Sequence, residues 1–596
     1  MRDVTDTSAS EALRPGMLTD LTDTERALIN STCAGELLRC SELDVCDLRD
    51  SDDPAHQVRA RVLRELLLGR HGELDPRGVR LGGARITGEF DMNRIEASVG
   101  LLLDRCAVDQ TVQLVGARLP WLHMRGCHVP ALRGYAIRVE GDLVLRDGFT
   151  ATGPGERGAV DLHGAHVTGQ VDLCGARLAN EIGPALHAPK LRVEGDLFLR
   201  DGFTATGRHG EYGAVDLRGA RIAGQVDLCG ARLANENGPA LHANRLRVES
   251  DLLLRDGFTA TGHRERAAVD LNGAHIAGQL ALDGARLANE IGPALHAHAL
   301  RVEGDLFMRD GFTATGHCER AAVDLLGARI SGELDLTRAQ VTSSAGVLLA
   351  LNDVHCERVF LPPEVVCPSG ARRVCPDSRR TMFLDGFVYT GLSRVTWEQW
   401  LHLLRHHTED YRPQPYQQLA AARTAVGHDR DTRRILVVQQ QDRRSRGDIG
   451  NRLRRLAHAI WGGLAGYGYR TGRTALALLA VLLVAGALGV WAGNTPTANG
   501  HHAAQRTQNT LPQQASPLTG NSAPPPPMCS FVEQVGLGVD RGLPLASTGV
   551  RSRCDLDTAS IAGQWFTVAI WVLQAAVWAL ATLAVAGYTG LVRKIR

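Results

Sequence analysis

A long internal repeat constrains this chain more than any other feature. Leu191-Arg-Val-Glu-Gly-Asp-Leu-Phe-Leu-Arg recurs as Leu246-Arg-Val-Glu-Ser-Asp-Leu-Leu-Leu-Arg. Related copies begin at Ile137 and Leu300, so the four starts, at positions 137, 191, 246 and 300, are evenly spaced. A unit with a period of about 55 residues cannot bury its apolar face alone and must stack on its neighbours. Each unit contains a shorter pattern: apolar pairs at 215/217, 220/222, 226/228 and 231/233, followed by a second set at Leu241/Ala243, Leu246/Val248 and Leu252/Leu254. Steps of five or six between pairs leave no room for a strand plus a hairpin turn, and they match no helical face. They match short extended sides with a corner between them, four sides making one coil of about 26 to 28 residues. Leu217, Ile222, Leu228 and Leu233 are expected inside. Ala220 and Ala231 are expected near corners where no bulk fits, with Gly219, Gly224 and Gly230 supplying corner geometry.

The Ala-x-Leu/Ile steps of Gly219-Ala-Arg-Ile and Gly230-Ala-Arg-Leu resemble a degenerate pentapeptide repeat, although the five-residue register breaks between Ile222 and Leu228. That resemblance implies a right-handed quadrilateral β-helix. From about residue 20 to the end, the chain is similar to actinobacterial membrane proteins with pentapeptide-like repeats, often labelled "membrane-associated oxidoreductase". Gly78-Val-Arg-Leu-Gly-Gly-Ala-Arg-Ile-Thr-Gly and Tyr411-Arg-Pro-Gln-Pro-Tyr-Gln-Gln-Leu carry the likeness together with the repeats. The label implies redox chemistry, which needs a cofactor or a reactive cysteine pair. The sequence has neither a Gly-x-Gly-x-x-Gly in a dinucleotide-binding context nor a Cys-x-x-Cys. No catalytic residue, cofactor or metal ligand is therefore expected.

The coils are expected over residues 76–392, with the long repeats at about 137–345. A helical cap over 1–75 covers one open apolar end, with residues 1–20 loose and Thr22 or Asp23 capping a short helix. A longer helix is expected over about 54–69, with Arg59, Arg61 and Arg64 on its solvated face. Met382-Phe-Leu-Asp-Gly-Phe-Val-Tyr reads as a last extended segment. A second helical cap follows at 393–446, in which Tyr416, Leu419, Ala422 and Val426 share a face. Four variable corner insertions, starting at Gly153, Gly207, Gly262 and Gly316, should project along one edge, where a protein partner is expected.

His187, His242 and His296 recur in Pro-Ala-Leu-His and should stand two coils, roughly 10 Å, apart, too far to share one ion. Cys174 and Cys229 occupy equivalent positions at the same spacing, which rules out a disulfide between them. His355, Cys356, Cys367 and Cys375 lie close together in the chain but lack the close Cys pairs of a zinc site, and the three cysteines are expected as core or free thiols.

The basic stretch 447–473 leads into an apolar span at 474–492, and a second span at 566–592 ends in the basic tail 593–596. Together with the absence of an amino-terminal signal peptide, these flanks place both termini and the coils in the cytoplasm and residues 493–565 outside. Asn499 to Pro527 is expected to be disordered. Cys529 and Cys554 are the candidate disulfide of the outer loop. Arg443, Arg444, Arg446, Arg452, Arg454 and Arg455 are the candidate contacts to anionic lipid. The formal net charge of +1, and seven arginines against seven acidic residues over 191–245, argue against nucleic-acid binding and against mimicry of a polyanion. The functional expectation is a membrane-anchored cytosolic scaffold or binding protein. The alternatives are the oxidoreductase of the family label and a pore-forming homo-oligomer.

Overall fold

The computed structural model describes residues 18, 20–153, 155–317, 320–368, 379–446, 450–465, 467, 471–497, 501–507, 528–543 and 549–588. Residues 79–392 wind into a parallel β-solenoid of about eleven turns. One coil of the repeat region has four short sides: Val160–Asp161, His166–Val167, Val171–Asp172 and Arg177–Ala179. Each side pairs in parallel with its equivalent in the next coil, as in Val160↔Leu186, His166↔Arg192, Val171↔Leu197 and Arg177↔Thr204. Every coil thus satisfies its backbone polar groups through the coils above and below, as a buried extended chain must.

Coil length changes along the solenoid. The first coils are short, as Val79↔Leu101 and Leu101↔Leu122 show, each close to four sides of five. From Leu143 onward, longer coils alternate with shorter ones, as Leu143↔Val171, Val171↔Leu197, Leu197↔Val226 and Val226↔Leu252 show. The long period is therefore two unlike coils. Most of the extra residues enter at one corner, between the fourth side of one coil and the first side of the next, as between Arg177–Ala179 and Leu186–His187; the longer coils carry one more before the fourth side, as between Leu197–Phe198 and Thr204–Gly207.

Packing explains why the coils alternate. Phe149, Phe203, Phe258 and Phe312 are fully buried in one column, and Ala176, Ala231 and Ala285 fill the same column in the coils between them. A second column alternates Ile137, Leu191, Leu246 and Leu300 with Ala165, Ala220, Ala274 and Ala328. In these two columns each bulky side chain fills the space its small neighbours leave, so large residues interleave with small ones at close-packed density. The expectation that Ala220 and Ala231 mark corners too tight for bulk is corrected: the equivalent position in the adjacent coils holds Leu or Phe. Gly219 and Gly230 adopt left-handed backbone, with φ of 63° and 70°, as expected. Gly224 is needed for a different reason, because a Cβ there would lie 2.1 Å from Asp196 Oδ1, which accepts the Gln225 N–H at 2.8 Å.

The amino-terminal cap is part sheet, unlike the purely helical expectation. Helix α1 (Asp23–Ala34) begins with a capping box between Thr22 and Glu25, and α2 spans Val45–Arg49. Leu38–Arg39 and Gln57–Arg59 add as strands to the first coil, pairing with Leu81–Gly82 and Arg85–Thr87, so α3 starts only at Ala60 (Ala60–Leu67). Open backbone groups on the first coil attract these strands more strongly than helix propensity holds them. Arg59 consequently lies off the helix and pairs with the buried Glu25 carboxylate at 2.7 Å. At the other end lie α4 (Pro363–Val366), the last strands Thr381–Phe383 and Val388–Leu392, α5 (Trp397–His406) and α6 (Pro413–Ala425). Tyr416, Leu419 and Ala422 are buried as expected, whereas Val426 is exposed.

The chain divides into two compact units, Met1–Val426 and Gly427–Arg596. Helix α7 (Asp429–Ser445) falls in the second unit. There, α8 (Arg452–Ala465) precedes α9 (Thr471–Asn494), α10 (Phe531–Gly542) and α11 (Ile561–Tyr588). Gly472–Asn494 and Ile561–Thr582 are long and apolar enough to cross a membrane. Helix α10 lies against the last turns of α9 with backbones nearly touching, since a Cβ on Gly538 would fall 2.0 Å from the Ala485 carbonyl oxygen. Strand Ala504–Arg506 pairs antiparallel with Cys554–Leu556, so part of the stretch expected to be disordered is structured. Residues 499–500, 508–527 and 589–596 lie outside the described residues.

Candidate functional site

The first sides of successive coils stack an unusual row. Register places Asp161, His187, Asp216, His242, Asp270, His296 and Asp324 one above another. The imidazoles stand two coils apart, as expected, but each coil between them contributes a carboxylate from Val-Asp-Leu. This partner was visible in the sequence and is recognisable only once the two kinds of coil are put in register.

The row is held by direct contacts. His187 Nδ1 lies 3.2 Å from Asp216 Oδ2, and Arg218 donates to both Asp216 oxygens at 2.9 Å through Nε and Nη2. His296 Nδ1 is 3.1 Å from Asp270 Oδ1, and His298 Nε2 is 2.7 Å from Asp324 Oδ2. Burial by itself would raise the Asp216 carboxyl, but the bonds from His187 and Arg218 override it and hold the group at about 2. Asp270 is lowered by the same competition, with the His296 hydrogen bond overcoming burial. Burial pushes the His242 imidazole below its ordinary value.

These directions predict acid lability. Both Asp216 and His242 have folded values below their unfolded ones, so each contributes stability that is complete above the unfolded value and disappears as pH falls through the folded one. The melting temperature of the full chain in detergent should begin to drop below pH 6.5, the ordinary histidine value. It should drop again between 3.8 and about 2, where Asp216 takes up its proton. His242→Gln should shrink the first limb, which His123, His128 and His163 share because burial lowers them too. A flat profile from pH 7 to pH 4 would contradict the assignment.

Beside the row the corner excursions project, and between them and the first sides lies an open groove of about 870 Å³. Glu156, Arg157, Ile182, His209 and Tyr212 come from the excursions. Tyr135, His163, His187, Lys190 and Arg218 come from the coils. The rings form a continuous ridge: Tyr135 to His163 at 5.2 Å, His163 to His187 at 5.6 Å, His187 to Tyr212 at 5.4 Å and Tyr212 stacked on His209 at 4.4 Å. The Arg218 guanidinium sits 4.6 Å from the Tyr212 ring centroid. An imidazole oriented by a carboxylate is half of a nucleophile-activating device. No described residue lining the groove is Ser, Thr or Cys; its polar side chains are Asp, Glu, His, Tyr, Lys and Arg, which stack and hydrogen-bond.

The remaining sequence candidates are spread over the molecule. Cys529 and Cys554 are joined, with Cα atoms 6.0 Å apart. Arg452, Arg454 and Arg455 are exposed on α8, but Arg446 lies 3.1 Å from the buried Asp442 carboxylate and is taken up by that pair. His355 is exposed and Cys367 is buried; Cys375 lies outside the described residues. Burial, reinforced by Asp172, Asp227 and Glu333 respectively, pushes the Cys174, Cys229 and Cys356 thiols up to about 12, 11 and 12, far from thiolate reactivity at neutral pH. No family model matches the chain, and no curated protein or solved structure is significantly similar to it.

Proposed function

We propose that the chain is a membrane-anchored scaffold that binds a protein partner along the solenoid edge built by the corner excursions. The ridge from Tyr135 to His209 carries this reading: stacked, half-exposed rings with Arg218 packed on Tyr212 bring together tyrosine and arginine, which are enriched where proteins recognise one another. Rigid coils present Tyr135, His163 and His187 without the entropy cost of ordering a loop. The two apolar helices provide the anchor, and Leu476, Leu483, Trp565 and Trp571 on them are more than half exposed, as lipid-facing residues would be. In this reading both termini and the solenoid are cytoplasmic, the cystine lies outside, and Arg452, Arg454 and Arg455 meet the anionic inner leaflet.

One experiment tests the binding edge and the orientation together. A photo-crosslinking residue at Tyr212 should capture one discrete partner, and the same residue at Ala223, on the diagonally opposite corner, should not. In the same sealed cells, a membrane-impermeant thiol reagent should leave the exposed Cys33 and Cys46 unlabelled. Equal capture from both corners removes the binding edge. Labelling of Cys33 or Cys46 reverses the topology.

A further inference from the structure

The end of the solenoid gathers a donor set that sequence spacing does not announce. Cys367 follows α4 and is fully buried; His402 lies in the last turns of α5, and His407, also fully buried, follows that helix. Cys367 Sγ is 3.9 Å from His402 Nε2, and the three ligand atoms of Cys367, His402 and His407 all lie within 4.8 Å of one another. Tetrahedral zinc, with Zn–S about 2.3 Å and Zn–N about 2.05 Å, requires donor separations of about 3.3 to 3.6 Å, so modest side-chain rotation closes the set around an ion.

The surroundings are those of a metal-bound histidine. His407 Nδ1 donates to the Arg380 carbonyl oxygen at 2.7 Å, which fixes the tautomer and puts the lone pair of the neutral ring on Nε2. The same Arg380 donates through its guanidinium to the Val365 and Val366 carbonyls at 3.0 and 2.9 Å, the turn that carries Cys367. One residue thus orients two of the three donors. On an uninterrupted helix, residues five apart point about 140° from each other and cannot share an ion. Helix α5 ends at His406, and His407 turns out of it with φ −125° and ψ 22°, which brings the second imidazole back toward His402.

We propose that Cys367, His402 and His407 bind a zinc ion that staples α4 to α5 across the last coil of the solenoid. One thiolate and two imidazoles suit zinc, and the half-exposed His402 leaves a fourth position open to water. The ion closes the carboxy-terminal end of the coil stack, whose apolar face must be covered. This assignment is independent of the binding edge.

The full chain, purified in detergent without a histidine tag, should hold about one zinc ion. After chelation and reloading with Co(II), it should show a thiolate-to-cobalt charge-transfer band and the visible bands of a tetrahedral site. Cys367→Ser should remove the charge-transfer band, His402→Gln should weaken zinc binding by more than about tenfold, and Cys229→Ser should change neither. Circular dichroism establishes that each variant is folded, and the wild-type cobalt spectrum stands even if a variant is not. A wild-type protein that takes up neither zinc nor cobalt overturns the proposal, as does a charge-transfer band that survives Cys367→Ser in folded protein. Copper or iron bound in place of zinc overturns the choice of ion.

Discussion

Replacing Leu228 with aspartate should leave no cooperatively folded solenoid. Leu228 is fully buried in a column that reads Leu173, Leu199, Leu228, Leu254 and Leu282 through successive coils, all inaccessible to solvent. A carboxylate there would have leucine above and below and no donor within reach, so it must either lose its charge or open the stack. Leu228→Ala, which only leaves a cavity, should cost about 2 to 5 kcal/mol; the aspartate should exceed that and abolish the unfolding transition. Denaturant unfolding followed by circular dichroism separates the two. An aspartate variant within about 1 kcal/mol of wild type would mean that this column does not face the interior.

The second large effect tests the alternation of coils. Ala231→Phe puts a ring between the fully buried Phe203 and Phe258, and should cost more than the roughly 1 to 3 kcal/mol of ordinary overpacking, because neither neighbour has room to move. Phe203→Ala and Phe258→Ala alone should each cost about 3 to 5 kcal/mol through the cavities they leave. Combined, the three substitutions again flank a phenylalanine with alanines, so the triple variant should be far more stable than the sum of the single losses predicts. Additive losses would sink the interleaving account, since residues sharing one cavity must couple.

Much of the architecture was legible before any coordinates. Apolar pairs at steps of five and six leave few options other than four-sided coils, and the two long apolar runs identified the helices able to cross a membrane. Cys529 and Cys554, placed in one loop by those runs, pair in the structure. The terminal regions were read less well because their sequence signals are local and their structure is not. Gln57–Arg59 precedes a strong amphipathic helix and looks like its first turn, yet it joins the sheet because the first coil offers unpaired backbone groups beside it. Ala504–Arg506 has the composition of a loop and becomes a strand through Cys554–Leu556, a partner far along the chain.

The sequence by itself determined the period, the four sides and which residues face inward, because a repeating pattern states its own stacking. It did not determine what meets what between unlike coils. The aspartate opposite each histidine, the alanine beneath each phenylalanine, the ridge of rings along one edge and the approach of Cys367 to His402 and His407 depend on register and on where a helix ends. Those contacts join residues a coil or more apart in the chain, a distance over which no local spacing rule operates. Only the tertiary structure decides them, because stacking energy shared across whole coils sets the register, and the register then selects the neighbours.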